Sequence, residues 1–482
     1  MNYRMMGRFL AQILTIEGAL MIPAMLISVF YGETVAIRGF LYTILLIAAV
    51  AAVLWLACRR APSAFYAKEG LVCVGVCWIA MSLVGCLPFW ISREIPRYID
   101  AFFEIVSGFT TTGSSILSDV ESLPKGILFW RSFSHWIGGM GVLVFMLAFT
   151  GGKGQGFTMH LLRAESPGPD VGKLVPKMRT TATILYVLYI VMTVINIIFL
   201  LLGGMPLLEA LCTAFGTAGT GGLGIKNDSM ASFSPYIQNV TTVFMALFGI
   251  NFSCYYLLLL RQWKVVFRDE ELRLYLLLIF GSIAAITLNL KDFYPTLGET
   301  LRHAAFQVSS IITTTGYGST DFDLWPAFSK SILVCLMMVG ACAGSTGGGL
   351  KLARLLLLVK SLGRNIRQTA KPRKVMVVRN NDRVISEKVL RNADAYLVAY
   401  VMIIFLSYVI VSLDNFSFGT NFTAVIACFN NIGPGLEQVG PTCNFAAYSD
   451  LSKLVLCFDM LAGRLEIFPI LALLSPAIWK NK

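Results

Sequence analysis

Residues 107–114 read Ser107-Gly108-Phe109-Thr110-Thr111-Thr112-Gly113-Ser114, and residues 309–318 nearly repeat them as Ser309-Ser310-Ile311-Ile312-Thr313-Thr314-Thr315-Gly316-Tyr317-Gly318. A glycine closing a threonine run lets the backbone take a φ that other residues resist, so successive carbonyls can face one way. Inside a membrane such carbonyls replace the hydration shell of a cation. The chemistry suggested is permeation, not catalysis.

Two looser strings complete a set of four: Gly216-Thr217-Ala218-Gly219 and Asn430-Asn431-Ile432-Gly433. The glycines Gly113, Gly219, Gly316 and Gly433 stand 106, 97 and 117 residues apart. Candidate ion ligands are Thr111, Thr112 and Gly113 in the first loop and Thr217, Ala218 and Gly219 in the second. In the third and fourth they are Thr314, Thr315 and Gly316, and Asn431, Ile432 and Gly433. Taken singly, a string of this kind reads more readily as a turn. Recurrence at a roughly hundred-residue period decides for a repeat architecture.

A short helical segment precedes each loop: Tyr98 to Gly108, Pro206 to Phe215, Leu297 to Ile311 and Thr420 to Phe429. None approaches the ~20 residues a span requires. Irregular backbone at membrane depth is tolerated only where it is buried in protein or lines a cavity. Four half-crossing helices that meet on one axis satisfy that condition, with the negative ends of their dipoles aimed at a cation.

The bulk numbers agree. Of 482 residues, 56% are hydrophobic and 14% charged, which excludes a soluble globular protein. Apolar runs of spanning length occupy Phe9 to Phe30, Phe40 to Cys58 and Leu71 to Trp90, and others follow. The fold class expected is an all-α polytopic membrane protein: two leading helices, then four helix/re-entrant pore loop/helix repeats around a central ion pore. The expected divisions are 1–68 for the leading helices, then repeats at 69–160, 161–272, 273–392 and 393–482, the third carrying a gating loop and a basic link.

The formal charge of +12 does not point to nucleic acid, because the excess sits in alternate connections. Lys351 to Arg391 holds 12 Lys/Arg against Asp382 and Glu387. Arg4 and Arg8, Arg59-Arg60, the Lys153 to Arg179 link and the Arg261 to Arg273 link are basic in the same way. The positive-inside rule puts all of them, and both termini, in the cytoplasm. Such a face also suits anionic membrane lipid. The 11 cysteines are scattered without metal or disulfide spacing and read as small apolar residues of packed helices.

Three further stretches carry a family likeness: Gly340-Ala341-Cys342-Ala343-Gly344-Ser345-Thr346-Gly347-Gly348-Gly349-Leu350-Lys351, residues 427–436 from Ala427 through Asn430-Asn431-Ile432-Gly433 to Leu436, and Gly463-Arg464-Leu465-Glu466-Ile467-Phe468-Pro469. Over nearly its whole length the chain resembles the ion-translocating subunit of the bacterial Trk/Ktr potassium-uptake family. Its two leading helices make it similar to the TrkH type. The resemblance implies potassium as the transported ion with no bound organic cofactor, and residence in the inner membrane of a bacterium. It also implies a homodimer with one pore per protomer and a TrkA-like cytosolic nucleotide-binding regulatory subunit. One departure stands out: Thr220-Gly221-Gly222 follows the second string where the family more often has Asn-Ala-Gly and then an aromatic residue. A filter this asymmetric is expected to prefer potassium, with rubidium close and sodium admitted in part.

Gly344, Ser345, Thr346, Gly347, Gly348 and Gly349 interrupt the span between Ala327 and Lys360. Each glycine costs ~1 kcal/mol in a helix interior, so this run unwinds the helix, either as a gate below the ion path or as a close helix crossing. The resemblance favours the gate, with Lys351 beside it. Arg464, a charge within the last span, reads either as an electrostatic barrier at that gate or as an anchor paired with Glu466. Glu104 and Glu209, ahead of the first and second loops, read as braces of their pore helices or as mouth charges, and Glu437, after the fourth, as a mouth charge.

The three histidines, His135, His160 and His303, lie in separate segments, and Gly152-Lys153-Gly154-Gln155-Gly156 lacks the context of a phosphate loop. A membrane enzyme acting on anionic lipid therefore finds no constellation here. A proton- or sodium-coupled symporter on the same scaffold would want a buried carboxylate, for which the spans offer Glu17 and Glu466.

Overall fold

The computed structural model describes residues 1–59, 67–139, 141 and 178–479. Arg60, the Gly152–Gly156 string, His160 and the basic link before residue 178 lie outside the described residues.

Two antiparallel helices, Tyr3–Phe30 and Thr34–Ala57, lead the chain. The Asn2 side chain caps the first by accepting from the Met5 N–H at 3.1 Å. Four units of one plan follow. Each has an opening helix: Ala67–Gly85 continued by Leu87–Ile91, Met178–Leu202, Glu270–Asn289 and Glu387–Val411. Each then has a pore helix: Tyr98–Phe109, Leu207–Gly219, Leu297–Ile312 and Phe418–Phe429, of 12, 13, 16 and 12 residues.

Among the described residues, six helices are long and apolar enough to cross a membrane, or seven if one bent pair counts as a span. Their outward faces carry exposed Leu45, Val53, Leu277 and Phe405, the pattern of surfaces solvated by lipid. Residues 68 and 69 both lie inside the helix Ala67–Gly85, and the helices that open the third and fourth repeats begin at Glu270 and Glu387. The divisions expected at 68/69, 272/273 and 392/393 therefore cut through helices, and each repeat starts earlier. The division at 160/161 lies outside the described residues.

The inner, closing helices are the irregular ones: Lys125–Gly139, Pro235–Phe248, Ala327–Val339 and Asp450–Arg464, of 15, 14, 13 and 15 residues. In the second repeat the chain turns by 89° at Gly249-Ile250-Asn251 and resumes as Phe252–Leu259. In the third it leaves the helix at Gly340 and resumes as Leu352–Ala370, so the break is longer than the 344–349 run. In the fourth, Glu466 and Ile467 take φ values of 67° and 55° before Phe468–Leu474.

Two of these breaks solve each other's hydrogen-bonding problem. Cys342 N–H donates to Gly249 O at 3.1 Å, and Phe252 N–H donates to Gly344 O at 3.1 Å. Backbone groups freed from helices at membrane depth are thereby paired inside the protein, as a non-aqueous surrounding requires.

Candidate ion filter and gate

All four pore helices end in the same way. Thr112, Gly221, Thr315 and Ile432 donate their N–H to the carbonyls of Ser107, Gly216, Ser310 and Ala427 at 2.8–2.9 Å. The residues before them, Thr111, Thr220, Thr314 and Asn431, have φ of 55°, 54°, 59° and 56°. This is the Schellman ending, in which a left-handed residue turns the chain off the helix. Here that residue is never glycine, at a cost of roughly 1–2 kcal/mol each.

These endings correct the second loop. Thr217, Ala218 and Gly219 belong to the last turn of Leu207–Gly219, where Thr217 Oγ1 donates back to Thr213 O at 2.8 Å. The segment equivalent to Thr111-Thr112-Gly113 is Thr220-Gly221-Gly222, three residues later.

With that register the loops close into a ring. Gly113, Gly222, Gly316 and Gly433 all have positive φ, of 85°, 71°, 83° and 101°. A Cβ on Gly113 would lie 2.2 Å from Gly221 O, on Gly222 1.9 Å from Thr315 O, on Gly316 2.0 Å from Ile432 O, and on Gly433 2.9 Å from Thr112 O. Each glycine thus lies against the carbonyl of the residue before the next loop's glycine, and the fourth returns to the first. The four glycines share one mouth cavity with Ser114, Leu223 and Pro434. Four helix C-termini and their carbonyls surround a single axis, a geometry suited to a dehydrated cation.

Side chains hold the ring from behind. Thr110 Oγ1 bonds Thr112 Oγ1 at 2.7 Å, and Thr313 Oγ1 bonds Thr315 Oγ1 at 2.8 Å. Asn431 Nδ2 donates to Thr112 Oγ1 and to Met460 O, both at 2.9 Å. Glu104, fully buried, pairs with Arg131 at 2.5 Å and accepts from the Ile116 N–H at 3.0 Å, which makes it a brace of the first loop. Glu437 accepts from Ser417 Oγ and from the Thr420 N–H at 3.1 Å, capping the fourth pore helix. Those hydrogen bonds, Ser417 first, hold its carboxyl below the usual range. Glu209 is half-buried on the second pore helix.

The segment from Gly340 to Lys351 lies directly against the other side of the ring. Gly348 N–H donates to Thr314 Oγ1 at 2.6 Å. A Cβ on Gly347 would lie 2.9 Å from Thr313 O, and one on Gly348 2.6 Å from Asn430 O, so glycines let the loop seat against the ends of the third and fourth pore helices. Glu271 Oε1 accepts from Ala343 N–H at 2.6 Å and Ala353 N–H at 3.1 Å, clasping both ends of the loop. Thr346 Oγ1 donates to Phe248 O at 3.3 Å, Ser345 Oγ to Cys342 O at 2.6 Å, and buried Lys351 donates to Gly347 O.

Arg464 Nη1 donates to Thr346 O at 2.7 Å, while Nη2 donates to Gly138 O and Gly139 O at 2.5 and 2.6 Å. The anchor reading paired Arg464 with Glu466. Glu466 instead pairs with Arg354, whose guanidinium lies 3.9 Å over the Tyr396 ring.

Residues 36–481 match the TrkH family, described as a cation transport protein. The chain belongs to the TrkH family. It is 35% identical to the Trk system potassium uptake protein TrkH of Salmonella typhimurium and 34% identical to that of Escherichia coli K12, with 100% of both chains covered in each case. Its fold matches the crystal structure of the potassium transporter TrkH from Vibrio parahaemolyticus with a TM-score of 0.89 at 29% identity, again over 100% of both chains. The chain is therefore a bacterial multi-pass membrane protein of a transporter family, not of an enzyme family.

Several residues that shape this TrkH-family site were not placed there from the sequence. Glu271 sits just after a polar cap, Asp269, and looks like an ordinary first-turn acid. Asp459, with no exposed surface, accepts from Ser407 Oγ at 2.7 Å, so Glu17 and Glu466 are not the only carboxylates in the spans. Arg131 and His135 bind loops distant in sequence, which no local pattern reports. The available signal was Arg131 and His135 at helical spacing on one face.

Proposed function

We propose that this chain takes up potassium through the ring formed by Thr112, Gly113, Gly221, Gly222, Thr315, Gly316, Ile432 and Gly433, with Thr111, Thr220, Thr314 and Asn431 forming its inner edge. The observation that carries this reading is the closed cycle of glycine against carbonyl, loop to loop. The names of the relatives supply the ion. Potassium sheds its water at the mouth, exchanges it for carbonyl oxygens, and enters the space beneath the ring. There the Gly344–Gly349 loop and Lys351 obstruct it and Arg464 holds the obstruction in place. The membrane potential drives entry, at ~2.3 kcal/mol per charge per 100 mV.

In this reading both termini face the cytoplasm, the working unit is a homodimer, and a TrkA-like nucleotide-binding subunit in the cytosol draws the loop aside. The basic segment around Lys360–Arg391 supports that orientation. Flux into proteoliposomes of the purified chain, compared for potassium, rubidium, sodium and lithium at fixed membrane potential, tests the proposal. Potassium and rubidium flux without a proton or sodium gradient is the expected result. Flux that requires such a gradient establishes a coupled symporter instead, and sodium flux equal to potassium flux refutes the filter.

A further inference from the structure

Three of the four loops carry a side chain just before the ring glycine: Thr112, Thr315 and Ile432, each engaged with its own surroundings. The second loop has Gly221 there. Its backbone does not demand glycine, because Gly221 lies outside the left-handed region that Gly222 occupies. What demands glycine is His135. A Cβ on Gly221 would have as its three nearest heavy atoms Cγ, Nδ1 and Cε1 of the His135 ring, at 2.3, 2.3 and 2.6 Å.

That ring is buried and doubly bound. Nδ1 lies 2.8 Å from Gly108 O, which can only accept, so Nδ1 carries the proton. Nε2 then accepts the Leu223 N–H at 3.1 Å. One turn earlier on the same helix, Arg131 donates to Gly224 O at 2.6 Å. Side chains of the first repeat therefore position the second loop's backbone, and that loop supplies the Gly221 carbonyl against which Gly113 packs.

We propose that the His135 imidazole stands in, from the neighbouring repeat, for the side chain that the second loop lacks. It is a specificity-determining positioning residue that sets the Gly221 carbonyl in the ring. The inference rests on the reading of the four loops as one filter. It goes beyond that reading by assigning selectivity to a residue outside all four loops.

The test is a mutant cycle read as the potassium-to-sodium flux ratio in proteoliposomes. His135→Ala and Gly221→Thr each lower the ratio about tenfold, the first by emptying the space and the second by overfilling it. The double variant, which gives the second loop the Thr-Gly of the first and third, recovers to within about threefold of the parent ratio. An unchanged ratio in His135→Ala, or a double variant as poor as the product of the singles, overturns the proposal. If a single variant does not fold, a folded and selective double variant supports the proposal, and a double variant that stays unfolded overturns it. Gly222→Ala separates the two levels. If it leaves the ratio intact, the filter reading itself fails; if it collapses the ratio while His135→Ala does nothing, only the role of His135 fails.

Discussion

The first and third loops carry braces of their own, and the second is braced by its neighbour. In the former, a hydroxyl pair within each Thr-Thr-Thr-Gly string ties the loop to the end of its own pore helix. In the latter the corresponding positions are Gly219 and Gly221, without hydroxyls, and His135 and Arg131 grip the backbone from the first repeat. Yet the backbone that results is the same, down to the left-handed residue and the glycine after it. The functional groups are carbonyls, so what must be reproduced is the path of the main chain. Several sets of side chains can enforce one path.

The strongest challenge to this view is substitution of the ring glycines, which should be indifferent to how each loop is braced. Gly222→Ala, Gly113→Ala and Gly316→Ala each drive a Cβ to 1.9–2.2 Å from a carbonyl oxygen. Each lowers the potassium-to-sodium flux ratio about a hundredfold, equivalent to about 2.8 kcal/mol. Gly433→Ala meets its carbonyl at 2.9 Å and costs only about tenfold. A second loop that tolerated alanine would show that it does not belong to the ring.

Beneath the ring, Arg464 ties the loop touching the third and fourth pore helices to the end of the first repeat's inner helix. Arg464→Gln removes charge-assisted bonds worth about 1.5–3 kcal/mol each. Potassium leak through the purified chain rises about tenfold while the ion ratio stays at the parent value. A changed ratio with unchanged leak would place Arg464 in the filter and not at the gate.

Next in size is loss of the self-bracing hydroxyls. Thr315→Val removes one hydrogen bond, of about 1 kcal/mol net, and lowers the flux ratio about fivefold; Thr112→Val also removes the bond from Asn431 Nδ2 and lowers the ratio further. Smallest is Glu437→Gln at the fourth pore helix. Its carboxyl is held below the ordinary value, so its stabilising contribution is complete at neutral pH and disappears only as pH falls through that lowered value. The variant leaves the flux ratio within about twofold of the parent, and a thermal-unfolding difference between the two chains closes in acid.

The repeat plan was legible because threonine runs ending in glycine are rare and a hundred-residue period is hard to mistake. The register of the second loop was not. Gly216, Gly219, Gly221 and Gly222 crowd one short stretch, so a Thr-x-Gly pattern fits at Gly219 without revealing that the helix runs on to that residue. His135 decides the matter, since Gly219 and Gly221 are both shaped around it. The break in the third inner helix was anticipated at Gly344–Gly349, and it begins earlier, at Gly340. Those at Gly249 and Glu466 were not anticipated, although Asn251, which caps the next helix by accepting from the Ser253 N–H at 2.9 Å, was a usable sign. The pairing of Glu104 with Arg131 depends on tertiary packing and has no local signature.

The most direct test of the central claim is the potassium-to-sodium flux ratio of Gly222→Ala beside that of Thr217→Val, measured in proteoliposomes at one membrane potential. Gly222→Ala is expected to abolish discrimination, and Thr217→Val, which alters only a hydroxyl bonded within the pore helix, to preserve it. Loss of selectivity in Thr217→Val with retention in Gly222→Ala would contradict both the register of the second loop and the ring built on it.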